Sequence, residues 1–152
     1  MDRIEQFKAN QKIAWANFAL LEHLTGTAAP ELVRFAGIRP QLKALDVACG
    51  TGVVALTAAR AGAIVNGIDL TPELIQRANE NAALMRLEAT FEEGDVESLP
   101  FPEASFDVVV SQFGHMFAPR PAVARPAVIG GARWLRPARA TCSACFPHRC
   151  SA

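Results

Sequence analysis

Apolar side chains recur at Ile4, Phe7, Ile13, Trp15, Phe18 and Leu21 with charges between them. That spacing predicts an amphipathic helix over residues 2–24, with Trp15 and Phe18 in its core-facing stripe. A second, short helix is expected over 27–36, because Pro30 suits a first turn and Gly37 a helix end. Residues 43–48 are a short apolar run that suits a buried strand, broken by Gly50-Thr51-Gly52. Residues 53–61 then read as a helix closed by Gly62. A second strand is expected over 63–68, ending at Asp69. Thr71-Pro72-Glu73 has the marks of a helix start: a hydroxyl cap, a proline at the first position and an acid at the positive end. That helix should reach about residue 86. Residues 89–92 form a third short strand, Pro100 and Pro102 mark a loop, and 106–111 form a fourth, strongly apolar strand. Alternating strands and helices imply parallel pairing through helical crossovers. The expected class is α/β with helices on both sheet faces.

From residue 118 the pattern dissolves. Twenty of the last 35 residues are Ala, Arg or Pro; 122–135 reads at most as a ragged helix, with no strand after it. Charge divides at the same place. The chain holds 15 basic and 15 acidic side chains, yet every acid lies at or before Asp107. Residues 1–117 carry nine basic groups against fifteen acids, and residues 118–152 carry six arginines and no acid. Neutrality is therefore a cancellation between two unlike segments. No run of 18 apolar residues occurs, which excludes a spanning helix. The start, Met1-Asp2-Arg3-Ile4-Glu5, lacks the apolar centre of a signal peptide, so a cytoplasmic chain is expected. Three of the four cysteines (Cys142, Cys145, Cys150) crowd the last eleven residues with His148. Their spacing is tighter than structural zinc patterns, and no metal site is expected. No aromatic series accompanies the arginines, so no nucleic-acid partner is expected.

The loop between the first strand and its helix carries the chemistry. Gly50-Thr51-Gly52 with Ala55 fits G-x-G-x-x-A, and Asp69 follows Gly50 by 19 residues, as a ribose-binding acid would. The free N–H groups of a helix start make such a loop electropositive. Taken alone, the fingerprint allows a nicotinamide-dependent oxidoreductase. Two further acids turn the reading. Asp46, four residues before Gly50, would repel a pyrophosphate and suit an ammonium group. Asp95, after the third strand, can accept from an adenine amino group. S-adenosylmethionine combines an ammonium, a sulfonium, a ribose diol and an adenine without phosphate. Cys49 reads as a small apolar filler.

Residues 43–117 resemble the class I S-adenosylmethionine-dependent methyltransferases, most closely the small-molecule branch that includes quinone-biosynthesis C-methyltransferases. The resemblance rests on Leu45-Asp46-Val47-Ala48-Cys49-Gly50-Thr51-Gly52, Gly67-Ile68-Asp69-Leu70, Gly94-Asp95-Val96-Glu97-Ser98-Leu99-Pro100-Phe101 and Phe106-Asp107-Val108-Val109-Val110-Ser111. It implies a Rossmann-like sheet with strand order 3-2-1-4. Residues 1–40 would be N-terminal cap helices, 41–117 the cofactor-binding core and 118–152 an atypical tail. Asp46, Gly50 and Gly52 would hold the methionine end of the cofactor, with Ala48 also in its site. Asp69 would bind the ribose, Leu70 pack on adenine, Asp95 take the adenine amino group and the Val96 N–H an adenine ring nitrogen. Ser111 and Gln112 would line the cofactor and substrate side, and His115 is the candidate general base. The implied partner is a small-molecule methyl acceptor; the alternative is a non-catalytic cofactor-binding remnant. The tail departs from the family. Arg136-Pro137 is followed by Ala138-Arg139 instead of a glycine pair. A shift of reading frame near 122–125 is therefore expected, with the fifth to seventh strands missing and the fourth strand an exposed edge.

Overall fold

The computed structural model describes residues 2–17, 22–120, 123 and 133–135. Strand β1 (Lys43–Val47) lies at the centre of a sheet because its last four side chains are all buried. β2 (Ile64–Asp69) and β3 (Thr90–Glu93) extend the sheet on one side, β4 (Val108–Val110) and β5 (Arg133–Leu135) on the other. The order is β3-β2-β1-β4-β5, with every neighbouring pair parallel. Register sets Asp46 opposite both Gly67 and Val110, so the first strand delivers its acid at the carboxyl edge of the sheet. In an open parallel sheet that edge, where the strand order reverses, is where ligands bind.

Helices α3 (Ala29–Phe35), α4 (Val53–Arg60) and α5 (Pro72–Met85) share one core cluster with the sheet. Leu32, Val54, Leu56, Ile75 and Ala78 pack there with Ala44, Val65 and Val108. Strand alternation sends Leu45, Val47, Ile68 and Val109 to the opposite face. Among the described residues that face is covered by the segment after β3, through Val96, Leu99, Phe101 and Phe106. The Phe101 and Phe106 rings meet edge to face at 5.0 Å.

Three sequence expectations change. The single helix over 2–24 is two described pieces, α1 (Arg3–Trp15) and α2 (Glu22–Gly26); Phe18 and Leu21 lie outside the described residues. α1 begins with a reciprocal capping box between Asp2 and Glu5. It buries no residue, and Phe7 and Ile13 are exposed, so its apolar positions are not a core face. Second, Thr71 precedes α5 as expected, but its hydroxyl makes no cap. Its N–H instead donates to Asp69 Oδ1 at 2.9 Å. Third, the fifth strand is present. β5 pairs with β4 from Val108 opposite Arg133 to Val110 opposite Leu135, so β4 is flanked on both sides. A three-residue strand amid Ala, Arg and Pro has no periodicity of its own; the free edge of Val108–Val110 supplies its hydrogen bonds. Apart from Val123, which is in a turn, the rest of the expected ragged helix, the cysteine cluster and His148 lie outside the described residues.

Candidate functional site

A cavity of about 400 Å³ opens at the carboxyl edge of the sheet, within the size range of small-molecule sites. Three carboxylates from consecutive strand ends line it: Asp46 from β1, Asp69 from β2 and Asp95 after β3. Most of the remaining wall is apolar.

Asp46 is 2% exposed, and its Oδ2 accepts the Ala55 N–H at 3.0 Å, which ties the strand end to the first turn of α4. Burial pushes its carboxyl up to about 8, against the Ala55 hydrogen bond and with a further push from Asp69. Asp69 uses both oxygens as backbone acceptors: Oδ2 takes the Gly50 N–H at 2.9 Å and Oδ1 the Thr71 N–H at 2.9 Å. Burial raises its carboxyl too, while those N–H donors oppose the shift. Asp69 therefore fixes the glycine loop and the start of α5 with one side chain. Each oxygen keeps a further lone pair for a ribose hydroxyl.

The two loop glycines divide the work. Gly50 lines the cavity at φ +56°, and a Cβ there would meet nothing within 4 Å, so its missing side chain leaves open ligand space. Gly52 (φ +82°) lies off the lining; its Cβ would come within 2.9 Å of the Phe91 ring and 3.2 Å of Ala78. The absence of a side chain at Gly52 is thus what lets the loop pack against Phe91 and Ala78. Asn81 on α5 braces the same loop, its amide donating to the Thr51 carbonyl at 3.1 Å.

Of the other expected residues, Ala48, Leu70, Val96 and Gln112 line the cavity. Gln112 donates to the Thr25 carbonyl at 2.6 Å, and its buried Oε1 has no hydrogen-bond partner among the described residues. Ser111 and His115 are buried and off the lining; the Ser111 hydroxyl accepts the His115 N–H at 3.1 Å. That hydrogen bond lies at the start of the 3-10 helix over Gly114–Phe117. That helix presses on the glycine loop, since a Cβ on Gly114 would fall 2.3 Å from Ala48 Cβ. Cys49 lines the cavity as a buried thiol, held protonated by burial.

Cap helices were expected over residues 1–40, but not the side chains they bring to the cavity. Trp15, expected in a core stripe, lines the cavity and meets Phe117 edge to face at 4.7 Å. Lys8 also lines it, with Nζ 2.5 Å from Asp95 Oδ2 and 2.7 Å from Glu97 Oε2. Burial works against the Lys8 ammonium, but the two carboxylates prevail and raise its pKa. Glu97, almost wholly buried, also takes Arg120 at 2.9 Å. Burial opposes its charge, yet Arg120 and Lys8 hold it below the usual carboxylate range. These partners are 23 to 89 positions apart in the chain, beyond the reach of any local pattern.

The donor set fits S-adenosylmethionine on chemical grounds: a buried carboxyl for an ammonium, a second for a diol, a third for an amino group and apolar surface between them. It does not suit a pyrophosphate, which would meet four acidic side chains, Glu22, Asp46, Asp69 and Asp95, against the one lysine of the lining.

A profile of the methyltransferase-domain family matches residues 44–138, a span that runs through β5. An uncharacterized protein of Mycobacterium tuberculosis is 43% identical over 114 residues, covering 73% of this chain and 42% of that protein. A demethylmenaquinone methyltransferase of Deinococcus radiodurans is 40% identical over 74 residues, which is 47% of this chain and 31% of that protein. An S-adenosylmethionine-dependent methyltransferase from Aquifex aeolicus shares the fold, with a TM-score of 0.58 at 20% identity, covering 62% of this chain and 53% of that one. The chain spans about two fifths of the length of the Mycobacterium protein. Among the described residues no helix is long and apolar enough to cross a membrane.

Proposed function

The chain belongs to the methyltransferase-domain family, and from that premise we propose that it binds S-adenosylmethionine in the carboxylate-lined cavity and passes the methyl group to a small-molecule acceptor. The observation that carries this reading is the convergence of Asp46, Asp69 and Asp95 on one cavity from three successive strand ends. Asp46 is assigned to the methionine ammonium, with the Gln112 Oε1 as a second acceptor nearby. Asp69 is assigned to the ribose hydroxyls and Asp95 to the adenine amino group. Leu70 and Val96 supply the apolar sides of the adenine slot, and the Val96 N–H its ring-nitrogen contact. Gly50 and Ala48 leave room for the chain that joins ribose to methionine.

When bound, the cofactor supplies an electrophilic methyl on sulfur. The protein's task is alignment and exclusion of water. Trp15 and Phe117, both apolar and both on the lining, suit that task on the acceptor side. His115 is off the lining, so in this reading it anchors the 3-10 helix, and an acceptor that arrives protonated must find its base elsewhere.

Two measurements test the proposal. Calorimetry should show binding of S-adenosylhomocysteine and none of NAD; the reverse favours an oxidoreductase and sinks the assignment. Incubation with S-adenosylmethionine and a panel of phenols, amines, thiols and quinols should release S-adenosylhomocysteine for at least one member. Binding without turnover on any acceptor leaves a cofactor-binding chain that does no chemistry.

A further inference from the structure

Helix α1 buries no residue, so contacts at its rim hold it over the cavity. Among the described residues three side chains of α1 make them: Lys8 with Asp95 and Glu97, Lys12 with Glu93, and Trp15 edge to face with Phe117. Among the described residues only Lys8 both joins α1 to the rim and bonds an oxygen assigned to the proposed cofactor. Asp95 has committed Oδ1 to the Glu97 N–H at 2.9 Å, and Oδ2 is taken by Lys8 at 2.5 Å. Each oxygen keeps a second lone pair, but an adenine amino group arriving at Oδ2 would lie beside the Lys8 ammonium, donor against donor, on an oxygen whose charge Lys8 already offsets. Glu97 offers Lys8 an alternative, since Lys8 Nζ is also 2.7 Å from Oε2.

We propose that Lys8 is an occupancy-sensing residue of the adenine subsite: with the subsite empty it bridges Asp95 and Glu97, and adenine displaces it from Asp95 onto Glu97 alone. The inference rests on the assignment of Asp95 to the adenine amino group. Its physical content is competition between a cationic donor and a neutral one for the same carboxylate oxygen. Cofactor affinity is therefore lowered by the Lys8–Asp95 contact, and α1 responds directly to whether the subsite is filled. A partly exposed ion pair is weakened by salt, so added salt should favour the ligand.

The test uses S-adenosylhomocysteine, whose net charge is near zero, so that removing a lysine does not act through long-range attraction. Lys8→Gln should bind it about tenfold more tightly than the unaltered chain, the scale of one charge-assisted hydrogen bond. Affinity of the unaltered chain should rise between 50 and 500 mM salt, about a Debye length of 10 Å being crossed at 0.1 M, while that of Lys8→Gln stays flat. Lys12→Gln, which frees α1 from Glu93 without touching Asp95, should bind as the unaltered chain does. Equal or weaker binding by Lys8→Gln overturns the exchange, because Lys8 would then support adenine or ignore it. Tightening by Lys12→Gln to the same degree also overturns it, since helix attachment alone would explain the gain. The inosine analogue, with an exocyclic carbonyl oxygen in place of the amino group, separates the two levels. If it binds the unaltered chain as well as S-adenosylhomocysteine does, the Asp95 assignment fails and takes the exchange with it. If it binds more weakly and Lys8→Gln still shows no gain, the exchange alone fails.

Discussion

Asp46 couples the site to pH. Its folded-state value of about 8 lies above the ordinary 3.8, so the folded chain keeps a proton that the unfolded chain has lost. Stability from this group is complete below 3.8 and falls as pH rises from there to about 8. A bound ammonium needs the carboxylate, so ligand binding at neutral pH should expel close to one proton. Affinity for S-adenosylhomocysteine is expected to rise by roughly tenfold per pH unit between pH 6 and 8. Calorimetry in buffers of different ionisation enthalpy measures the proton directly, and Asp46→Asn should abolish both the proton release and the pH slope. The glycines give a second residue-level contrast. Gly52→Ala meets the Phe91 ring at 2.9 Å with φ at +82°, and it should cost about 2–4 kcal/mol in urea unfolding. Gly50→Ala carries the backbone strain without the clash. It should cost about 1 kcal/mol of stability while losing more ligand affinity than Gly52→Ala loses per unit of stability.

At the scale of elements, the cap depends on Glu97. It receives Lys8 from α1 and Arg120 from the segment after the 3-10 helix, which fastens both sides of the cavity mouth to the turn after β3. Its depressed carboxyl contributes stability that is complete above the ordinary carboxylate value and lost as pH falls through the folded one. Glu97→Gln should lower thermal stability by about 1–2 kcal/mol and speed amide exchange in α1 more than in α4 or α5. Equal effects on all three helices would show that Glu97 is not a local clasp. How much was legible follows from the same contrast. β1, β2, α4 and α5 were readable because apolar runs of five or more residues, glycine breaks and a Pro-led start are local signals. The loop acids were readable because strand ends position them by chain order alone. The clasp was not, because Lys8, Glu97 and Arg120 look like ordinary surface charges until the fold brings them together. Trp15 was misassigned for a related reason: helical spacing marks an apolar face without saying whether it meets a core or a cavity. β5 was missed because three residues carry no period, and its strand character comes from its neighbour.

At the scale of the molecule, the charge asymmetry acquires a partial structural meaning. The acid-rich body places three carboxylates in one cavity, and the first arginine of the basic segment, Arg120, closes on Glu97 at 2.9 Å. The family match and β5 both extend into the segment that looked alien in composition. The central claim is that consecutive strand ends deliver one carboxylate each to one cofactor. A crystal structure of the chain with S-adenosylhomocysteine tests it most directly. The expected result is the homocysteine amino group beside Asp46, the ribose hydroxyls on Asp69 and the adenine amino group on Asp95, with Lys8 on Glu97. Ligand seated elsewhere, or in this cavity with its adenine away from Asp95 and its ribose away from Asp69, would contradict it.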